Sequence, residues 1–469
     1  MNSQSPLQSL KEPLLKIVGP QGLLDATEVA QRSAGMMRDD NLQAGLLVRP
    51  QSTEEVVQIM ALCHERGQSL VTQSGLTGLV HATDANAGQL ILSTERLNRI
   101  EVLDPQQRIA VVQSGVVLQQ LQEAASAQGL FFPLDLGARG SCTIGGNIST
   151  NAGGNRVIRY GMTRPLVLGI EAVLADGTLV SSLNQMLKNN AGYDLKQLFI
   201  GTEGTLGVIT RAVVRLFEQP RSQNLALVAV DEFSQVVKLL RFVDSALGGA
   251  LSAFEVMWND FYETVTRAPA KNQPPLPHGH GWYVLIESQG GHPESDGQRF
   301  RDMLGQALEQ DLLADAVVAN SQREVEAIWA IRDDVTQTNR YGLSFMFDVG
   351  LPVSHMDEYV RNARKALHDL WADKVHVWTW GHMGDGNLHF AVRTPPGSDE
   401  EHQRVNEILY RPLAALGGSI SAEHGIGLEK RDYLDVSRKP EEIALMKLLK
   451  RTLDPKDILN PGKVIAIDD

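Results

Sequence analysis

His382 and His389 stand seven residues apart in Gly381-His382-Met383-Gly384-Asp385-Gly386-Asn387-Leu388-His389-Phe390. A helix would place both imidazoles on one face, but Gly384, Asp385, Gly386 and Asn387 between them disfavour a helix. A tight loop joining two extended pieces would bring the rings together instead. Two imidazoles and one carboxylate leave an open position on Zn²⁺ or a similar divalent ion, the pattern of a catalytic site. A lone histidine pair is more often structural. The block Ser421-Ala422-Glu423-His424-Gly425-Ile426-Gly427 adds a carboxylate and a third imidazole and shifts that balance. Arg332, in Glu326-Ala327-Ile328-Trp329-Ala330-Ile331-Arg332-Asp333, lies one helical turn from Trp329. It reads either as a solvated arginine on an amphipathic helix or as a fork for a carboxylate.

A second kind of chemistry rests on glycine. Ser74-Gly75-Leu76-Thr77-Gly78 follows a predicted strand, and small residues there let backbone N–H groups converge on an anion. The loop is neither a Walker A motif nor the G-x-G-x-x-G fingerprint, and an ordinary strand–helix turn is its plain alternative. A longer block runs Pro133-Leu134-Asp135-Leu136-Gly137-Ala138-Arg139-Gly140-Ser141-Cys142-Thr143-Ile144-Gly145-Gly146-Asn147-Ile148-Ser149-Thr150-Asn151-Ala152-Gly153-Gly154. From Leu134 to Gly154 only Asp135 and Arg139 are charged, unlike a mobile surface loop, and the segment suits close approach of backbone to a flat ligand. In a third block, Asn190-Ala191-Gly192-Tyr193-Asp194-Leu195-Lys196-Gln197-Leu198-Phe199-Ile200-Gly201-Thr202-Glu203-Gly204-Thr205-Leu206-Gly207-Val208, glycines recur every three residues before a strand.

These residues need elements to position them. Residues 53–66 read as a helix capped by Ser52 or Thr53 and ended by Gly67. Residues 69–72, 90–92, 108–113 and 212–217 read as strands, and 118–128 as a helix. Beyond Pro220, residues 225–230 and 282–287 read as strands of a second sheet, and 234–247, 295–309 and 321–341 as helices. Residues 269–281, with four prolines, read as an irregular loop. Residues 137–207 hold 13 of the 42 glycines, whereas all six tryptophans and ten of the twelve histidines lie in the second half. That asymmetry predicts a Gly-rich domain over 1–220, a Trp/His-rich domain over 221–410, and a segment 411–469 returning to the active site.

The 469-residue chain, 43% hydrophobic and 21% charged, has the composition of a globular protein with several cores. A net charge of −13 argues against a nucleic-acid partner. No apolar run reaches the roughly 18 residues of a membrane span, and Met1-Asn2-Ser3-Gln4-Ser5-Pro6 carries no secretory pattern. Two cysteines, Cys63 and Cys142, can build neither a disulfide framework nor an iron–sulfur cluster, so a cytoplasmic setting is expected.

Gly-Ser-Cys-Thr-Ile-Gly-Gly-Asn, Gly-Tyr-Asp-Leu-Lys-Gln-Leu-Phe-Ile-Gly and Ser-Ala-Glu-His-Gly-Ile-Gly are long motifs, and through them the chain resembles flavoproteins of the vanillyl-alcohol oxidase and p-cresol methylhydroxylase type. Within these it is similar to the D-2-hydroxy acid dehydrogenases, the group of D-lactate, glycolate and D-2-hydroxyglutarate dehydrogenases. The resemblance runs from about Leu47 to Val464. It implies an α+β architecture, with an FAD-binding domain of the p-cresol methylhydroxylase type and an α/β substrate cap. It implies noncovalent FAD, with Ser74, Gly75, Leu76, Thr77 and Gly78 at the pyrophosphate. Pro133, Asp135, Gly137, Ser141, Gly145, Gly146, Ser149, Asn151, Gly153, Gly207 and Val208 would line the cofactor. The first loop lacks the Pro and one Gly of the usual Pro-x-Gly-Gly-x-Thr-Gly. Cys142 and His81 are the positions from which flavin would be tethered in other relatives; here Cys142 is expected packed and His81 on the surface.

The resemblance further implies that His382, His389 and Glu423 hold a divalent metal, with Zn²⁺ the expected ion, and that His424 is the general base. Arg332 would bind the substrate carboxylate, and Thr336, four residues on and on the same helix face by its spacing, would be a further substrate contact. The implied reaction takes a proton from the 2-hydroxyl and a hydride to FAD N5, leaving a 2-keto acid. Electrons would leave to a quinone, an electron-transfer flavoprotein, a cytochrome or a partner subunit; a homodimer stays open. Two positions depart from D-2-hydroxyglutarate dehydrogenases: Met346 replaces a Lys two residues before Asp348, and Ala391 replaces an Asn two residues after His389. A monocarboxylic D-2-hydroxy acid, D-lactate-like or larger, is therefore favoured. D-2-hydroxyglutarate, or a role as electron-transfer subunit of a glycolate-oxidase-like complex, is the alternative.

Overall fold

A computed structural model describes residues 7–36, 38–342, 344–395 and 398–467. The start read for a secretory pattern lies outside these. The chain divides into two compact units. The first comprises 1–153, 162–219 and 423–469, and the second 154–161 and 220–422. The chain thus enters the first unit again at Glu423, later than the expected 411, and lends 154–161 to the second.

The first unit contains two larger sheets and a two-stranded ribbon that pairs Leu130–Phe131 with Phe217–Glu218. Strands β1 (Leu23–Asp25), β2 (Leu46–Val48), β3 (Leu70–Gln73) and β4 (Leu90–Ser93) form one, in the order β1-β2-β4-β3. Helix α1 (Thr53–Arg66) joins β2 to β3. The Ser52 hydroxyl accepts the Glu55 N–H at its start, and Gly67 ends it in the left-handed region. Strands β5 (Ile100–Asp104) and β6 (Ile109–Gln113), helices α2 (Leu118–Ser126) and α3 (Ile144–Thr150), and strands β7 (Val167–Val173), β8 (Leu179–Ser182) and β9 (Val208–Arg215) follow. The second sheet runs β5-β6-β9-β7-β8. The strand expected over 212–217 begins four residues earlier, because Gly207 ends the Gly-rich run and every residue from Val208 to Thr210 is buried.

The second unit is one seven-stranded sheet with helices. Its strands are β10 (Ser222–Val230), β11 (Leu251–Trp258), β12 (Trp282–Gly290), β13 (Asp315–Val318), β14 (Phe345–Gly350), β15 (His376–His382) and β16 (Asn387–Arg393), ordered β13-β10-β12-β11-β15-β16-β14. Helix α4 (Phe233–Leu247) joins β10 to β11, and α5 (Pro293–Glu309) follows β12. Helix α6 (Gln322–Asp333) packs Val325, Ile328 and Ile331 into a core with Tyr283, Leu285, Trp378, Trp380 and Ala391. The helix expected over 321–341 stops at Asp333; residues 335–341 form a tighter 3₁₀ turn. No helix among the described residues is long and apolar enough to cross a membrane.

Candidate active site

In the first unit the glycine blocks meet through their backbones. An added methyl at Gly75 would collide with the Ser141 carbonyl, and one at Gly145 with the Ser114 side chain. Ser74 Oγ bonds the hydroxyls of Thr94 (2.8 Å) and Thr143. The Thr143 hydroxyl in turn caps α3, accepting the Gly146 N–H at 3.4 Å. Gly78 and Gly137 face open space, with nothing within 4 Å of an added methyl. Leu76 sits at φ +52°, an uncommon conformation for a side-chain-bearing residue. Closely packed glycine backbone beside open space fits the entry of a flat, phosphate-bearing cofactor. Pro133 is buried, Asp135 pairs with Arg139 at 3.2 Å, and the Val208 side chain belongs to the core. Cys142 is buried, and burial pushes its thiol up to about 11, so it is no ready nucleophile. His81 is more constrained than a surface residue: its Nδ1 lies 3.0 Å from both Asp84 and Arg38.

The third block holds the loop that carries Glu423 and His424. Ser149 O accepts the Glu203 N–H at 2.8 Å, and the buried Glu203 carboxylate accepts the N–H groups of Ile426 (2.6 Å) and Gly427 (2.9 Å). Burial pushes this carboxyl above its usual range, against the pull of those two N–H groups. Gly425, at φ +88°, leaves only 2.7 Å between an added methyl and Glu203 Oε1, so glycine is required there. An added methyl at Gly153 would run into the Glu423 side chain. Asn460 ties this corner to the first loop: it donates to Glu203 O (2.6 Å) and accepts the Thr72 N–H (2.8 Å).

In the second unit, register does the positioning. β15 and β16 form a hairpin whose turn is the 3₁₀ segment Met383–Asp385 followed by Gly386 in the left-handed region. This is the tight loop between extended pieces, and it sets the His382 and His389 rings 5.1 Å apart at 83°. Opposite His382 on β11 stands Glu255, and opposite His389 stand Trp380 on β15 and Asp348 on β14. Because opposed residues share a face, Glu255, His382, His389 and Asp348 line one face as a staggered polar row, with His389 and Asp348 one pair further along the strands, in register with Trp380. Beyond it, Trp378, Ala391 and Met346 stand in register as an apolar row, with Met346 directly opposite Ala391. Ala391 is fully buried and Met346 packs against the same core.

Arg332, also buried, reaches this row from α6. Its Nε donates to Glu255 Oε2 at 2.8 Å, and its Nη2 lies 3.3 Å from His382 Nε2. His382 Nδ1 lies 2.7 Å from Glu255 Oε1. Nothing in the spacing of the motifs flags Glu255. Only the pairing of β11 with β15 could reveal it. Thr336 does not continue the Arg332 face: with α6 ended, it is exposed and donates to Asp334 at 3.1 Å.

The unit boundary falls on the Ala422–Glu423 peptide bond, and the Ala422 N–H is held by Asp348 Oδ2 at 2.8 Å. Glu423 therefore follows directly from the polar row. His382 and His389 offer two ring nitrogens from one hairpin, and Glu423 adds a carboxylate from the next segment; two imidazoles and one carboxylate are a donor set that suits a divalent ion with an open position.

Residues 219–464 match the family described as FAD linked oxidases, C-terminal domain, and residues 44–182 match the family described as FAD binding domain. The chain is 38% identical to the mitochondrial D-2-hydroxyglutarate dehydrogenase of Bos taurus, covering 96% of this chain and 82% of that protein. It is 37% identical to the D-2-hydroxyglutarate dehydrogenase of Xanthomonas citri pv. viticola, covering 90% and 89%. In structure it resembles p-cresol methylhydroxylase with a TM-score of 0.80, covering 100% of this chain and 98% of that one at 17% identity. The chain belongs to the FAD-linked oxidases, with an FAD-binding fold of the p-cresol methylhydroxylase type and an α+β architecture. It is an FAD-linked oxidoreductase of the 2-hydroxy acid dehydrogenase group.

Proposed function

We propose that this member of the FAD-linked oxidases converts a D-2-hydroxy acid to the 2-keto acid, with monocarboxylic acids preferred over D-2-hydroxyglutarate. The observation that carries the reading is the pair of adjacent rows on one sheet face. A row of buried ligating and charged groups, reached by Arg332, lies beside an apolar row containing Met346 and Ala391.

FAD, when bound, supplies the two-electron acceptor. A divalent ion on His382, His389 and Glu423 supplies a Lewis acid that lowers the pKa of a hydroxyl. The chain does the rest. Arg332 offers the Nη edge of its guanidinium to the carboxylate beside the reacting carbon, while Glu255 holds Nε. His424 takes the hydroxyl proton, since imidazole titrates near neutrality. Glu203 keeps the His424 loop in place through two peptide N–H groups. The buried glycine loops exclude water from the flavin-binding side. Both cysteines are buried, and the electrons leave to an external acceptor or a partner protein.

A second carboxylate on the far end of the substrate would have to be buried against Met346 and Ala391 without a cation or amide, at a cost of a few kcal/mol. D-2-hydroxyglutarate is the second reading, favoured by the names of the relatives at 37–38% identity. Specificity constants decide between them. D-lactate or a larger monocarboxylic acid should exceed D-2-hydroxyglutarate, and Met346→Lys with Ala391→Asn should move the preference toward the diacid. A wild-type preference for the diacid of about tenfold, or 1.4 kcal/mol, would overturn the substrate assignment.

A further inference from the structure

Among the carboxylates that the seven-stranded sheet buries, Glu255 is the one that touches both His382 and Arg332, and the reaction above gives it no chemical step of its own. Glu255 is 1% exposed, in the middle of β11, and makes two charge-assisted contacts, one from each oxygen. Oε2 accepts from Arg332 Nε at 2.8 Å; Oε1 faces His382 Nδ1 at 2.7 Å. These partners come from α6 and β15, about 80 and 130 residues further along the chain. Both are residues to which the proposed function gives a direct role.

The donors and acceptors fix the proton on His382. A carboxylate paired with a guanidinium only accepts, so Nδ1 carries the hydrogen. A guanidinium only donates, so Nε2, 3.3 Å from Arg332 Nη2, presents its lone pair. Glu255 and Arg332 together therefore favour the tautomer with the hydrogen on Nδ1, whose Nε2 can ligate. A hydrogen bond from the second ring nitrogen to a carboxylate also fixes ring orientation and raises ligand basicity. The same carboxylate anchors Arg332 by Nε, so the Nη edge, which faces His382, is the side that a substrate carboxylate would meet.

A buried carboxylate costs several kcal/mol to desolvate. The fold recovers this only through partners placed this closely, and a hydrophobic residue would serve the sheet as well. Along its own strand and toward β12, Glu255 is flanked on the same face by apolar residues: Ala253 and Met257 on β11 and Leu285 opposite on β12. Nothing about packing alone requires a carboxylate at that position.

We infer that Glu255 is a positioning residue that orients the metal-ligating nitrogen of His382 and the carboxylate-binding edge of Arg332 together. The inference rests on the metal reading of the proposed function, and the test keeps the two apart. Flavin-loaded wild type, Glu255→Gln and Glu255→Asp would be stripped of metal and titrated with Co²⁺ against a chromophoric chelator, with FAD content and thermal midpoint measured alongside. Glu255→Gln is nearly isosteric but cannot serve as an anionic acceptor for both partners. It should weaken Co²⁺ binding about ten- to a hundredfold, with FAD content unchanged, and raise the KM for a 2-hydroxy acid more than it lowers kcat. Glu255→Asp, which keeps the charge, should recover part of the metal affinity. Co²⁺ affinity in Glu255→Gln within about twofold of wild type would overturn the inference while leaving the metal reading intact. A wild-type chain that takes up no Co²⁺ would overturn both. If Glu255→Gln loses FAD or folds poorly, the Asp variant decides: Co²⁺ affinity measurably below wild type with FAD content unchanged supports the inference, and affinity within about twofold of wild type contradicts it.

Discussion

The glycine-rich loops of the first unit and the histidine-bearing strands of the second are built by opposite means. In the loops, the geometry lies in what is missing. Gly75 and Gly145 allow main chains to approach closer than any side chain would permit, and Gly425 and Gly427 do the same around the His424 loop. In the sheet, function lies in side chains from strands far apart in sequence, aligned by register: Glu255 against His382, Asp348 and Trp380 against His389. The lesson is that a backbone site tolerates polar exchange and fails on added volume, whereas a side-chain site tolerates small volume changes and fails on loss of a donor or acceptor.

His424→Ala should show the sharpest form of that difference. Turnover should fall by about two to four orders of magnitude, the usual span for a general base, while bound FAD and bound metal stay near wild-type levels. A loss of FAD in this variant would blur the separation. Gly75→Ala probes the other side. The added methyl meets the Ser141 carbonyl and Cys142 Cα, which belong to backbone and cannot swing aside. The expected cost is about 1–3 kcal/mol, read as lower FAD retention and a lower thermal midpoint, with Co²⁺ affinity unchanged. Normal FAD retention would show that the two glycine blocks need not touch for the cofactor to bind.

The smallest expected effect concerns the ion cluster beside the first loop. Burial pushes the Asp84 carboxyl up, but hydrogen bonds and charge from His81 and Arg38 outweigh it and bring it down to about 2. A carboxyl depressed in the folded state stabilises the fold above its unfolded pKa of about 4 and loses that contribution as pH falls toward 2. Asp84→Asn should therefore lower stability by about 1 kcal/mol at neutral pH, since its partners are partly solvated, and by little near pH 2. A difference that is constant with pH would assign the effect to shape rather than charge.

The loops were legible in the sequence for the reason that makes them work. Glycine, serine and asparagine over some twenty residues, with only Asp135 and Arg139 charged, fit few structures, and the run from Gly201 to Gly207 leads into β9 at Val208 as its spacing suggests. The His382–His389 hairpin was legible too, because Gly384 and Gly386 exclude the helix. Glu255 was not: it stands in Phe254-Glu255-Val256, a strand with no motif, and only its pairing with β15 gives it partners. Glu203 was read as part of a glycine run, yet its contacts are with Ile426 and Gly427, more than two hundred residues away. Thr336 shows the reverse failure. Helical spacing placed it beside Arg332, but α6 ends at Asp333 and the chain tightens into a 3₁₀ turn.

The central claim, oxidation of a D-2-hydroxy acid at the flavin, is tested most directly by anaerobic flavin bleaching. The purified, FAD- and metal-loaded chain would be mixed with a panel of D- and L-2-hydroxy acids, and the loss of oxidised-flavin absorbance followed in single turnover. The account predicts rapid bleaching by monocarboxylic D-2-hydroxy acids, slower bleaching by D-2-hydroxyglutarate, and little by the L-enantiomers. Flavin that stays oxidised with every acid of the panel would contradict it.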